Sequence, residues 1–162
     1  MKTVLDKLKN ELNSFWLWAN QTSHEYAKNV WKLEQEEWEY PNWDRLIELT
    51  IEAIKAVRNG GKSKELIDCI LEVMALDNED EQILDECQDN LTYDALSYLV
   101  HIATLHIQSE ARWQIAKLLG RYKDQATTGF LNSFIDDESK YVQRKALLSL
   151  VKVSPSEVKR YV

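Results

Sequence analysis

The feature that most constrains the fold of this chain is an internal repeat of 31 residues. When residues 92–122 are laid over residues 123–153, apolar side chains coincide at nine positions, all at the spacing of α-helical turns. Such a match over two helical stretches is typical of a helix-turn-helix repeat, in which each copy buries its apolar face against the next. Residues 154–162 begin a third copy that ends after its first helix. The matched pairs are Ala95 with Ala126, Leu99 with Phe130, Val100 with Leu131, Ala103 with Phe134, Ala111 with Val142, Ile115 with Ala146, Ala116 with Leu147, Leu119 with Leu150 and Tyr122 with Val153.

Helical periodicity extends beyond the repeat to almost the whole chain. The sequence contains only four Gly and two Pro, which disfavours a protein built from many short strands and tight turns. Capping patterns mark helix starts at Thr22–Glu25, Asn78–Glu81 and Ser154–Glu157. We therefore predict an all-α fold of nine or ten helices, stacked as antiparallel pairs because their connections are short. The predicted helices are 3–18, 23–39, 43–58, 64–76, 79–90, 93–106, 110–121, 125–135, 139–152 and 155–161.

The length and composition indicate one folded domain. A chain of 162 residues is long enough for a single core. It has no apolar run of 18 residues, and charged residues interrupt its first twelve positions, so neither a membrane span nor a signal peptide is expected. Cys69 and Cys87 lack CxxC spacing and are expected as reduced, half-buried thiols. The expected location is the cytoplasm.

The formal charge of −7 is unevenly distributed along the chain. Residues 1–64 are neutral overall, residues 65–111 contain twelve acidic residues and no Lys or Arg, and residues 112–162 have a net charge of +5. A potential that changes sign in this way steers charged partners. The acidic segment therefore predicts a surface that attracts a basic partner.

The repeat resembles that of the HEAT family of α-solenoids. The resemblance rests on the acidic turn 136–138 and on the apolar and arginine positions of the helix that follows, together with their counterparts in the preceding copy. These positions are Val142, Arg144, Ala146, Leu150 and Val153 in the second copy, and Ala111, Arg112, Ile115, Ala116, Leu119 and Gly120 in the first.

The resemblance implies a short superhelix of stacked helix pairs. Residues 92–153 form two HEAT-like repeats, 61–91 a degenerate repeat, 1–60 a divergent aromatic-rich helical part and 154–162 a terminal helix. In HEAT proteins the turn acid and an early arginine commonly bond between successive repeats. Asp137 and Arg144 are therefore implied to be structural.

No combination of residues in the sequence points to catalysis. His101 and His106 lie about 140° apart around a helix, and no third metal ligand follows at a recognisable spacing. The segment 60–63 ends like a phosphate-binding loop but lacks its first glycine. The acidic segment 76–82 lacks the glycine of a calcium loop and is interpreted as a helix start. We therefore expect no enzymatic activity, cofactor or metal.

A turn rich in aromatic and acidic residues precedes the third predicted helix. Residues 36–44 place three aromatic rings around Pro41 among acidic side chains, a composition that resembles interface hot spots. The alternative interpretation is that the rings only fix the turn to a neighbouring helix. We expect this turn and the acidic segment 77–94 to form a contact surface. The candidate protein-binding residues are Glu36, Glu37, Trp38, Glu39, Tyr40, Trp43, Asp77, Glu79, Asp80, Glu81 and Asp85.

The expected function is non-catalytic binding of a basic protein, because helical stacks present extended binding surfaces. An immunity protein that inhibits a basic toxin is one form of this function, and an adaptor or assembly factor is another. The alkylation-repeat DNA glycosylases are a HEAT-like alternative, faintly resembled by residues 42–44 and 112–113. Phosphate binding, however, needs cations that residues 65–111 lack. Homodimerisation through the unpaired helix 155–161 is a further alternative.

Overall fold

The computed structural model describes residues 1–28, 33–122 and 124–161, and it confirms the all-α prediction. The described residues form nine α-helices and three short 3₁₀ turns, and they contain no strand. None of these helices combines the length and the apolar character that a membrane crossing demands. The helices are α1 (Val4–Ala19), α2 (Ser23–Lys28), α3 (Trp43–Arg58), α4 (Lys64–Leu76), α5 (Gln82–Asn90), α6 (Tyr93–Ala103), α7 (Ser109–Leu119), α8 (Thr128–Ile135) and α9 (Lys140–Val153). The 3₁₀ turns are Glu37–Glu39, Gln125–Thr127 and Glu157–Arg160.

Side-chain caps fix the start of several helices. In four helices a hydroxyl group accepts a hydrogen bond from the backbone N–H three residues on, which satisfies a donor that the first turn leaves free. The predicted reciprocal cap before α2 is confirmed, with N–H donation from Thr22 to Glu25 Oε2 at 3.2 Å and from Glu25 to Thr22 Oγ1 at 3.1 Å. The four capping residues are Thr3, Ser63, Thr92 and Ser139.

The acidic turn before α5 differs from its prediction. The sequence predicts a helix from residue 79 capped by Asn78, whereas α5 begins at Gln82. Glu81 adopts the left-handed conformation with φ of 54° and makes no side-chain cap. Instead, Asp77 Oδ2 accepts the N–H of Ile83 at 2.9 Å. A carboxylate six residues upstream thus replaces the predicted cap.

Two other predicted helices are α-helical over less than half of their described residues. Of the predicted helix 23–39, α2 covers the first part as far as Lys28, and the last three residues form the turn Glu37–Glu39. Residues 29–32 of this predicted helix lie outside the described residues. The predicted helix 155–161 is the turn Glu157–Arg160, whose Val158 packs against the core. Among the described residues, 155–161 therefore offer no α-helix for the dimer that the sequence analysis gives as a further alternative.

The helices pack in two layers. The odd-numbered helices contact one another in succession from α1 to α9, and α4 lies beside α6 in the second layer. Helix α4 also touches α1, α3, α5 and α7, and nine of its 13 residues are buried. It is therefore the centre of the hydrophobic core.

The 31-residue period recurs in the hydrogen bonds of the structure. Helices α7 and α9 begin one period apart. Near the start of α7, Arg112 Nη1 donates to the backbone carbonyl of His106 at 2.6 Å. One period later, Gln143 Nε2 donates to the backbone carbonyl of Asp137 at 2.5 Å. Both bonds span six residues and tie a loop to the helix that follows it.

A buried salt bridge joins the two copies of the repeat. Arg112 Nε and Nη2 donate to the two carboxylate oxygens of Asp137 at 2.8 and 3.2 Å, and the two side chains are only 6% and 7% exposed. The resemblance implied Arg144 as the arginine of such a bond, but Arg144 is exposed. The helices are also in close contact further along, where a Cβ on Gly120 would lie 2.5 Å from Ser149 Oγ.

Candidate functional site: an acidic and aromatic cleft

Two turns that are distant in the sequence meet in the fold. Because α3 and α4 pack against each other across the short connection 59–63, the start of α3 lies beside the end of α4. The turn Glu37–Glu39 and the turn between α4 and α5 consequently border one open cleft of about 220 Å³. We call it the acidic cleft, and it is lined by Glu37, Trp38, Trp43, Leu76, Asp77, Glu79 and Asp80.

The aromatic side of the acidic cleft combines one exposed ring with one that is anchored. Trp38 is 59% exposed, whereas Trp43 is half-buried and lies 6.5 Å from the ring of Phe15. Tyr40 is buried, packs edge-on against Phe15 at 5.3 Å and donates its hydroxyl hydrogen to Glu11 Oε1 at 2.5 Å. Tyr40 therefore holds the turn onto α1, and Trp38 is the ring that a partner can reach.

The turn Glu37–Glu39 is held by hydrogen bonds to glutamates. The hydroxyl of the fully buried Tyr26 donates to Glu37 Oε1 at 2.8 Å. Burial, and then the neighbouring Glu37 carboxylate, raise the pKa of Tyr26, so this hydroxyl remains a donor at neutral pH. The N–H of Glu36 donates to Glu39 Oε2 at 2.9 Å across the same turn. These bonds fix the position of Glu37 at the cleft wall.

The opposite wall contains a buried carboxylate. Asp77 is only 4% exposed, and its Oδ2 caps α5 through the N–H of Ile83. Burial raises the pKa of Asp77 to about 6; the nearby Asp80 and Asp85 carboxylates also raise it, and the Ile83 N–H lowers it. Burial dominates because removing a carboxylate from water disfavours its charged form.

Two other acids of the segment 77–94 are paired with cations from the end of α7 and from the turn that follows it. Lys117 Nζ lies 2.7 Å from Glu81 Oε1, and Arg121 Nη1 lies 2.7 Å from Asp85 Oδ1. The expectation of an acidic surface without cations is therefore wrong at these two positions, because α7 and the turn after it bring Lys117 and Arg121 to these acids. Within the described residues, no salt bridge involves the exposed side chain of Asp80.

The predicted contact residues divide into three groups by exposure. Six of them are exposed, three are half-buried and two lie in the interior. The exposed residues are Glu36, Trp38, Glu39, Glu79, Asp80 and Asp85; the half-buried ones are Glu37, Trp43 and Glu81; and the interior ones are Tyr40 and Asp77. The acidic cleft brings members of both sequence segments together.

Two residues of the site were not predicted from the sequence. Leu76 lines the acidic cleft as the last residue of α4, and Tyr26 orients Glu37 from α2. Leu76 ends the apolar stripe of α4, so its pattern indicates only core. Nothing in the sequence around Tyr26 signals a partner eleven residues away. Both contributions depend on tertiary packing.

The described residues contain no group of three or more His, Cys, Asp or Glu side chains that could hold a metal ion. Cys69 and Cys87 are buried free thiols, and burial raises the pKa of each to about 12, so they are poor nucleophiles at neutral pH. The acidic cleft itself presents carboxylates and one exposed indole ring.

Comparison with known proteins finds no matching family, no similar curated protein and no similar solved structure.

Proposed function

We propose that this protein is a non-catalytic, HEAT-like binding module that recognises a basic protein partner through the acidic cleft. The observation that carries the proposal is that the exposed Trp38 lines the same cleft as carboxylates from a second turn, which is distant in the sequence. Exposed tryptophans at concave positions are frequent energetic centres of interfaces. Flanking acids without a bound cation favour encounter with a positively charged surface.

The HEAT-like part of the proposal is supported by the periodic contacts. Arg112 and Gln143 occupy equivalent positions one period apart and bind equivalent loop carbonyls. The salt bridge from Arg112 to Asp137 connects successive copies, which is the role that the resemblance assigns to a turn acid and an arginine.

Nucleic-acid binding is a weaker candidate because several cations are already neutralised. Arg112, Lys117 and Arg121 pair with Asp137, Glu81 and Asp85, respectively. A duplex requires lysine and arginine side chains that can replace its counterions. An inhibitor of a basic toxin and an adaptor for a basic protein both use the proposed surface, and they differ only in what the partner does.

Site-specific crosslinking in cells tests the proposed function. A photoreactive amino acid at position 38 should capture a discrete basic protein, whereas the same group at Leu148, an exposed residue of α9, should not. With the captured protein purified, the association rate should fall as ionic strength rises.

Charge reversal gives the matched comparison. Asp80→Lys should slow association several-fold at low salt, because it removes a carboxylate from the acidic cleft. Glu52→Lys makes the same charge change at an exposed position of α3, about 14 Å along the helix from Trp43, and should have a smaller effect. Capture only through position 148, an association rate independent of salt, or tight binding of duplex DNA at physiological salt would each overturn the proposal.

A further inference from the structure

We propose that the acidic cleft is a receptor for a single arginine side chain, whose guanidinium stacks on Trp38 and pairs with the carboxylates of Glu37 and Asp80. This inference rests on the proposed function and specifies the chemistry by which the partner is recognised. It follows from the size of the cleft, the arrangement of its charges and the aromatic ring at its edge.

The size of the acidic cleft matches one side chain. Its volume of about 220 Å³ is well above the space that a single water needs. It is below the roughly 300–1,000 Å³ of pockets that enclose cofactors and drug-sized ligands. One long side chain that enters from a partner surface is therefore a better fit than a free organic cofactor.

The charges of the acidic cleft suit an extended cation. Four carboxylates line it, yet within the described residues no three acidic, histidine or cysteine side chains converge closely enough to hold a metal ion. A metal needs several oxygens at about 2–2.6 Å from one point. A guanidinium spreads its charge and its five donors over a plane, so it can bind carboxylates that are set apart.

The aromatic ring distinguishes arginine from lysine. A planar guanidinium stacks on an indole face while its edge remains free to donate to carboxylates. An ammonium is a compact and strongly hydrated charge that must lose more water to reach the same ring. The exposed Trp38 beside Asp80 and Glu37 offers both kinds of contact together.

Much of the acidic cleft is already ordered. Tyr26 holds Glu37, the N–H of Ile83 holds Asp77, and Leu76 is a buried residue of the central helix α4. Groups that are fixed before binding lose little conformational entropy when the ligand arrives. The cleft can therefore bind a small cation without prior folding.

Titration with N-acetyl-L-argininamide tests this inference without any protein partner. The indole N–H signals of Trp38 and Trp43 should shift to saturation in NMR spectra of the labelled protein. The indole of Trp16, which donates to Glu72 Oε1 at 2.6 Å, is the internal control and should not shift. At equal ionic strength, N-acetyl-L-lysinamide should bind about fivefold more weakly or worse, and N-acetyl-L-leucinamide should not bind.

Variants assign the binding to the named groups. Trp38→Ala and Asp80→Asn should each weaken argininamide binding about fivefold or more, while Glu52→Gln should leave it unchanged. Circular dichroism checks that each variant is folded. Equal affinity for lysinamide and argininamide, unshifted cleft indoles, or full binding by Trp38→Ala would overturn the inference.

The two proposals fail in different ways. If a basic protein is captured at position 38 but argininamide does not bind, the surface recognises its partner without an arginine receptor and this inference is wrong. If argininamide binds but no protein is captured, the proposed function is wrong.

Discussion

Asp77 has two structural roles at the turn between α4 and α5. Its carboxylate caps α5 and also lines the acidic cleft. The side chain is buried, and its ordinary pKa of 3.8 is raised to about 6. Asp80 and Asp85 face it with negative charge, while the N–H groups of Gln82 and Ile83 favour its ionised form.

We expect the contribution of Asp77 to stability to depend on pH. Because the folded protein holds this proton more tightly than the unfolded chain, the free energy of unfolding should fall as the pH rises from about 4 to about 6. The difference between 3.8 and about 6 corresponds to roughly 3 kcal/mol. Asp77→Asn keeps an oxygen for the Ile83 N–H and should remove most of this dependence.

Urea unfolding at a series of pH values between 4 and 7 measures the effect. All other titrating groups are shared by the two proteins, so they cancel in the difference between Asp77→Asn and the parent chain. If the free energy of unfolding depended on pH in the same way in Asp77→Asn and in the parent chain, Asp77 would ionise as readily in the folded protein as in the unfolded one.

At the residue scale, the sequence selected residues of both turns that border the acidic cleft, but it did not predict which of these side chains are buried. The aromatic and acidic composition of residues 36–44 was enough to select Trp38, which is exposed beside the acidic cleft. It could not separate Trp38 from Tyr40, because the burial of Tyr40 depends on Glu11 and Phe15 of α1. In the same way, the charge of Asp77 indicated exposure, whereas its position at the end of the central helix α4 buries it.

At the scale of helices, the salt bridge between Arg112 and Asp137 is the main polar connection between the two repeat copies. Arg112 also binds the carbonyl of His106, so one side chain joins its own loop to the loop of the next copy. Breaking a buried ion pair on one side leaves the other charge without compensation, which costs about 3–5 kcal/mol.

Arg112→Ala should therefore destabilise the protein by about 3–5 kcal/mol. Arg144→Ala, at the exposed arginine of the next copy, should change the free energy of unfolding by less than about 0.5 kcal/mol. Denaturant unfolding of the two variants at one pH gives both values. If Arg144→Ala were the costlier change, the salt bridge described here would not be the principal connection.

The positions of the helices were largely predictable, and the exceptions have local causes. Apolar periodicity gave α3 and α4 with the boundaries that the structure has. The start of α5 was missed because its cap comes from Asp77, six residues before Ile83, instead of from the usual three-residue box. The segment 155–161 has the composition of a helix start but adopts a 3₁₀ turn, and the structure gives no reason for this difference.

At the scale of the whole molecule, segments of opposite charge fold onto each other. Lys117 of α7 and Arg121, two residues after its end, each pair with an acid 36 residues earlier, in or just before α5. The uneven charge of the sequence is therefore partly neutralised in the fold. Charge counted along a sequence cannot anticipate this, because it contains no information on which helices become neighbours.

Hydrogen exchange tests the central position of α4. This helix packs against α1, α3, α5, α6 and α7, so its amides should exchange only through global unfolding. Amides in the terminal turn Glu157–Arg160, which contains no buried residue, should exchange through local opening with a much smaller free energy. Equal protection of the two regions would contradict the assignment of α4 as the core of the fold.

Leu76, the last residue of α4, fixes the position of one wall of the acidic cleft. One side of the acidic cleft is attached to the most tightly packed helix of the molecule, while the other belongs to a three-residue turn. When ligands of different shape bind, the turn Glu37–Glu39 with Trp38 should therefore move much more than the wall formed by α4. If related chains prefer different cations, we then expect their sequences to differ at positions 36–39 and to keep Leu76 and Asp77.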